Sequence, residues 1–205
     1  MSEHYSNTDT GSKPADPYTD KNLQEPGLQE KIEGLNSFAD RCKFCMMTTK
    51  MNDGNLASRC MALAGKENTV DFIFHTNTES GKTDDLKANP DINLGFLNNT
   101  GEWASVSGEA IIETDRDAVK KHYSPALKAW LGDLGDGIHN GEADDPRIAL
   151  IRVKTKTAQY AVSYVNSVTS TFQVVKGAVT GETPAVNKLR HLSEDECNQA
   201  RSGSS

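Results

Sequence analysis

Aromatic residues are scarce in this chain, 6% of 205 residues with two tryptophans, and cysteines number four. No apolar run approaches the roughly 20 residues that a membrane-spanning helix needs, so a transmembrane protein of that kind is not expected. Basic residues are outnumbered, 22 against 29 acidic, for a net charge of −7. A nucleic-acid phosphate backbone calls for a basic face, so nucleic acid is set aside as a partner. The first twenty residues lack the apolar core of a secretory signal, and the cytoplasm is the expected location. Cys42 and Cys45 form a lone CKFC pair. A redox pair of that spacing would follow a strand and open a helix, and this one does the reverse. A zinc site would need a second ligand pair at suitable spacing, which is missing. Cys42, Cys45, Cys60 and Cys197 are therefore expected to be reduced packing residues, and no metal site is expected. The acidic run Asp133, Asp136, Glu142, Asp144 and Asp145 lacks the order of a calcium loop.

What is present is a clear change of period along the chain. Residues 1–20 are polar and aperiodic, an expected disordered tail. Leu28, Ile32, Leu35 and Phe38 recur at helical spacing, which predicts a helix over 22–41. From Phe44 the period shortens. KFCMMTTKM and LASRCMALA flank Asn52-Asp53-Gly54-Asn55, a hairpin signal. Strands follow at TVDFIFHT, INLGFLN and WASVSGEAII, with Gly108 marking a bulge or a close backbone approach. Residues 115–131 read as two short helices divided by Pro125, and 132–146 as a surface loop. RIALIRV, KTAQYAVS and TSTFQVVKG read as three further strands, and 184–205 as a partly helical or disordered tail. A doubly wound sheet would need a helix between each pair of strands, and the spacing has no room for them. The fold class expected is mainly β with short helices (α+β): an antiparallel barrel with an N-terminal helix. The domain is placed at 21–180, between tails at 1–20 and 181–205.

The stretch FIFHTNTESGKTDDLKANP at 72–90 carries the chemistry. It reads as a buried strand, a polar turn, and a helix over 81–89 that stops where Asn89 meets Pro90. His75, Thr76, Ser80 and Lys82 crowd the turn. A phosphate wants several donors and a fixed cation, and a helix start offers free N–H groups. The same residues also suit ordinary helix-start chemistry, with Ser80 as N-cap and Lys82 in solvent. Arg59 in LASRCMALA tips the balance, because an Arg in an apolar strand calls for an anionic partner unless it lies on a solvent face. Trp103 and Trp130 could each stack on a planar ligand or pack in the core.

Taken in order, RCMALA opened by Arg59, FIFHTNTESGK, LKANPDINLGF and WASVSGEA resemble the flavin mononucleotide (FMN)-binding split β-barrel superfamily. Its best-known members are the pyridoxamine 5′-phosphate oxidases. Within it the chain is most similar to the general stress protein branch, which includes the fungal blue-light-inducible proteins. The resemblance covers about residues 28–175. It implies a split barrel and a homodimer with FMN, or alternatively FAD, at the interface. It implies that Arg59 and Lys82 hold the 5′-phosphate with help from Ser80. Cys60, Met61 and Ala62 would line the ring edge, partly through backbone groups. His75 and Thr76 would lie beside the phosphate and ribityl chain. Trp103 would touch the cofactor, and Trp130 would approach the ring from the partner chain. Gly81 replaces a second basic residue of the oxidases, Ala64 replaces their substrate-phosphate Lys, and their C-terminal Trp and Arg/His-rich motif has no counterpart. The implied function is a flavin-dependent redox protein without pyridoxamine phosphate oxidase activity, with reduced nicotinamide as the default donor. The alternative is a non-enzymatic flavin store or sensor in a stress or light response. No residue stands out as a catalytic acid or base; His122 and Tyr123 read as part of a surface helix pair.

Overall fold

The computed structural model describes residues 13–163 and 175–203. Two helices come first, α1 Pro17–Asn22 and α2 Leu28–Cys42, then three strands, β1 Phe44–Lys50, β2 Leu56–Glu67 and β3 Asp71–Asn77. Next are α3 Gly81–Ala88, β4 Asp91–Leu97 and β5 Trp103–Glu113, followed by α4 Arg116–His122 and α5 Leu127–Leu131. The last part holds β6 Ile148–Ser163, a helical segment at 175–180 (α6), β7 Asn187–Leu192 and α7 Glu194–Ser202.

Every strand pairing is antiparallel, in the order β3-β2-β1-β4-β5-β6-β7. A further pairing of β3 with β6 closes six of these strands into a barrel. The fold class is therefore the expected antiparallel split barrel with helices. Period-2 patterning decides which side chains point inward. Met47, Phe72, Phe74, Leu94, Phe96 and Val106 fill the interior, all at most 1% exposed. Phe72 and Phe96 meet there in a tilted pair with ring centroids 5.6 Å apart, a favoured aromatic arrangement. Helix α2 adds Ile32, Leu35 and Phe38 to the same core and ends at Lys43, whose left-handed backbone (φ 61°) turns the chain into β1. Helix α3 adds Leu86 to the same core. On the outside, α4 and α5 cover Ile73, Ile148 and Leu150 with Val119, Tyr123, Leu127 and Leu131.

Several sequence expectations need correction. RIALIRV and KTAQYAVS form one 16-residue strand rather than two. The polar run between them stays in the sheet because buried Thr155 donates to the Val70 carbonyl at 2.6 Å. A register shift there, opposite Gly108, bends β6, and the Lys154 carbonyl lies where a Cβ at Gly108 would be. Gly108 is thus both bulge and close approach. Of the strand expected at TSTFQVVKG, 169–174 lie outside the described residues and 175–177 are helical. The segment 181–205 is more than a tail: β7 extends the sheet beside the end of β6, and α7 buries Cys197 and Ala200. Its polar residues are held by long-range ion pairs, Arg190 with Glu30 and Arg201 with Asp71. At the other end, 17–20 belong to α1, N-capped by Asp16, while 1–12 lie outside the described residues.

Candidate functional site

The polar turn after β3 folds into a cluster of hydroxyls around one ammonium group. Thr76, on the inward face of β3, is 6% exposed. Its hydroxyl lies 3.0 Å from Thr83 Oγ1 and 3.4 Å from Ser80 Oγ. Ser80 occupies the N-cap position of α3, yet its side chain makes no capping bond. It turns to Thr83 at 3.0 Å instead. Lys82 Nζ donates to Thr76 Oγ1 at 2.5 Å and to Ser80 Oγ at 3.4 Å. Among the described residues Lys82 has no carboxylate partner, although it is half-buried. Burial, with Arg59 as a second cause, lowers its pKa to about 8. A desolvated cation held by neutral hydroxyls at an uncapped helix start is poised for an anion.

Arg59 reaches this end of the barrel from β2. Its register partner is Met47, and it is half-buried. Nη1 donates to Thr49 Oγ1 at 2.6 Å and to the Ala57 carbonyl at 3.3 Å. Nη2 pairs with Asp85 Oδ2 of α3 at 3.0 Å. Arg59, Thr76, Ser80 and Lys82 are thus gathered by β2, β3 and α3. Thr49, Thr83 and Asp85 belong to the same cluster and were not singled out from sequence. Asp85 lies three residues after Lys82, a spacing that puts both on one helix face; that was the signal available.

The other candidates lie elsewhere. Alternation sends Cys60 and Ala62 to the outer face of β2, where both are exposed, while partly buried Met61 packs against the core. Register carries Cys60 to Met46, Met46 to Gly95 and Gly95 to Ser105, forming one outward row. Phe44 (55% exposed), Met46 (47%) and Leu97 (70%) make this an apolar open face. Half-buried Trp103 pairs with Leu97 along its edge. His75 points away from Thr76, on the opposite face of β3. Its Nε2 lies 2.8 Å from the His122 carbonyl, and burial pushes its pKa down. It anchors α4 rather than joining the cluster. Trp130 on α5 is 87% exposed. The acidic run is bound up internally: Asp145 pairs with Arg147, Glu142 with Lys128, Asp144 with Lys120, and Asp136 with His139. Arg147, first among several hydrogen-bonding groups, holds the Asp145 carboxyl down to about 2. All four cysteines are free thiols; Cys45 and Cys197 are buried, while Cys60 is not. Among the described residues no helix is long and apolar enough to cross a membrane.

Comparison with known proteins agrees with this architecture. Residues 30–185 match the family model described as pyridoxamine 5′-phosphate oxidase like. Protein bli-3 of Neurospora crassa is 57% identical over 202 residues, covering 97% of each chain. The crystal structure of general stress protein 26 from Bacillus anthracis is 25% identical, with a TM-score of 0.53, over 65% of this chain and 92% of that one. A candidate general stress protein 26 from Jannaschia sp. CCS1 shares the fold at 17% identity, with a TM-score of 0.61, over 82% of this chain and 99% of that one.

Proposed function

The chain belongs to the pyridoxamine 5′-phosphate oxidase-like family, and from that premise we propose that it is an FMN-binding redox protein without oxidase activity on pyridoxamine phosphate. The observation that carries this reading is the half-buried Lys82, whose partners are hydroxyls and not a carboxylate, beside the guanidinium of Arg59. A phosphate monoester dianion supplies the counter-charge that Lys82 lacks, Arg59 being already paired with Asp85. Each charge-assisted contact contributes roughly 1.5–3 kcal/mol, so two contribute about 3–6 kcal/mol, and contacts to the rest of the ligand must add the remainder of the roughly 8 kcal/mol that micromolar binding takes. Ser80 and Thr76 offer hydroxyls to the same group, and the start of α3 offers N–H groups.

The flavin ring would lie on the outer row of Cys60, Met46 and Gly95, where Cys60 and Gly95 leave room and Met46 offers an apolar surface. Flavin, when bound, supplies the redox chemistry. The protein holds the phosphate, fixes the ring against the sheet and limits its exposure to water. Within one protomer this face is open, as a flat ring laid against the sheet requires. The apolar surface of Phe44, Met46 and Leu97 supports a homodimer that covers the ring, with Trp130 supplied by the partner chain. Ala64, which replaces the oxidases' substrate-phosphate Lys and packs under α4 and α5 with Ile73 and Val119, supports the loss of the oxidase substrate. Gly81, which replaces a second basic residue in the turn that would hold the cofactor phosphate, leaves open space where a side chain could stand.

An absorbance spectrum of the purified protein, followed by titration with FMN, tests the reading. Flavin bands or saturable quenching are expected. A colourless protein that leaves FMN fluorescence unchanged refutes it. Mixing the flavin-loaded protein with reduced nicotinamide then separates redox function from storage: bleaching supports the first, and a stable spectrum supports a flavin store or sensor. Turnover of pyridoxamine phosphate would contradict the lost-substrate part.

A further inference from the structure

We infer that Asp85 is a positioning residue of the phosphate site: its carboxylate fixes the Arg59 guanidinium relative to Lys82 and does not itself touch the ligand. This rests on the phosphate reading above and assigns a role within the same site. Asp85 follows Lys82 by about one helical turn, so both side chains leave α3 on one face, Lys82 meeting Thr76 of β3 and Asp85 meeting Arg59 of β2. The residue is 8% exposed, and a carboxylate at that depth needs a partner. Arg59 is that partner, at 3.0 Å. Its other terminal nitrogen is tied to Thr49 Oγ1 at 2.6 Å and the Ala57 carbonyl at 3.3 Å. Three elements therefore converge on one guanidinium before any ligand arrives.

Two effects of the carboxylate oppose each other. Its charge repels an incoming phosphate. Its hydrogen bond holds a long, rotamer-rich side chain in one place, which lowers the ordering cost of binding. Because Arg59 neutralises the carboxylate at contact distance, the repulsion on a third group is that of a dipole rather than of a free anion. Orientation is then the larger effect. Asp85 also couples α3 to β2, so that Lys82 and Arg59 present their donors in a fixed relation.

The test measures FMN and riboflavin binding by fluorescence quenching in Asp85→Asn and Asp85→Glu. Each is made in the natural chain and in an Arg59→Ala background. Both variants should weaken FMN roughly tenfold in the natural chain, including Asp85→Glu, which keeps the charge but displaces it by one methylene. Riboflavin, which lacks the phosphate, should bind as before. In the Arg59→Ala background neither substitution should cost further FMN affinity. Equal losses in both backgrounds would show that Asp85 acts through α3 and not through Arg59, and would overturn the inference. Unchanged or tighter FMN binding by Asp85→Asn would overturn it too, showing that repulsion dominates. If the natural chain itself fails to bind FMN, the phosphate reading falls along with this one. Failure of the Asp85 variants alone leaves the phosphate reading standing.

Discussion

The depressed pKa of Lys82 makes FMN affinity depend on pH in a window where little else should change. In the free protein this ammonium loses its proton near pH 8 instead of 10.5, because burial and the neighbouring Arg59 disfavour its charge. A phosphate monoester completes its second ionisation near pH 6, so it is a dianion throughout the window of interest. A bound dianion favours charged Lys82, and binding above pH 8 must therefore take up a proton. At about pH 7 roughly nine-tenths of the sites already carry that proton, and at about pH 9 roughly one-tenth do. FMN affinity should therefore fall about tenfold between those values. Stability of the ligand-free protein should move the other way. Between about pH 8 and 10.5 the unfolded chain holds a proton on this lysine that the folded chain has lost. Through the Lys82 contribution, folding then becomes more favourable as pH rises across that interval. Fluorescence titration with FMN at several pH values measures the first effect, with riboflavin as the phosphate-free control. Lys82→Met should bind FMN weakly and without the slope. An affinity flat from pH 7 to 9, or a slope that survives in Lys82→Met, would refute the assignment of this lysine to the phosphate.

Arg59→Ala should weaken FMN by roughly tenfold to a hundredfold, from the loss of a charge-assisted contact, and leave riboflavin binding nearly unchanged; isothermal titration with each ligand checks the difference. Met46→Glu or Leu97→Lys should convert the proposed homodimer to monomer, read by light scattering, and a natural chain already monomeric at micromolar concentration would remove that part of the proposal. Gly108→Val should destabilise the fold by about 2 kcal/mol or more, because the new side chain meets the Lys154 carbonyl in a bulge with nowhere to move; urea unfolding gives the value.

Legibility in the sequence tracked local physics closely. The β3 and β4 strands announce themselves by alternation, since Phe72, Phe74, Ile92, Leu94 and Phe96 all face one interior. The α2 stripe and the Pro125 break are equally local. The failures share one cause, polar residues buried by partners far away in the chain. Thr155 looks like a loop residue until Val70 and Asp71 are placed beside it. Arg190 makes β7 look like a solvated tail until Glu30 and Tyr160 enclose it. The same holds at the site. Lys82, Ser80 and Thr76 sit within one turn and were visible together. Asp85 stood out only once Arg59, 26 residues earlier, lay against it. His75 was placed with them by sequence adjacency, but a strand sends neighbouring side chains to opposite faces, and it went to α4.

The long β6 strand has a further consequence for how the molecule avoids strand-to-strand aggregation. On one side it pairs with β5 over nearly its whole length. On the other, Ile148–Val153 are taken by β3 and Ala158–Ser163 by β7. Had the chain stopped before β7, six residues rich in apolar side chains would present open N–H and C=O groups to any neighbour, the usual template for strand-to-strand aggregation. In their place the sheet ends on β7, six residues carrying Lys188, Arg190 and His191, whose outer edge is bridged at Leu189 by Leu23 and Gln24 from the other end of the chain. The two chain ends thus act as a shared guard on that sheet edge. A truncation that spares every proposed flavin contact but removes residues after 186 should give a protein that aggregates.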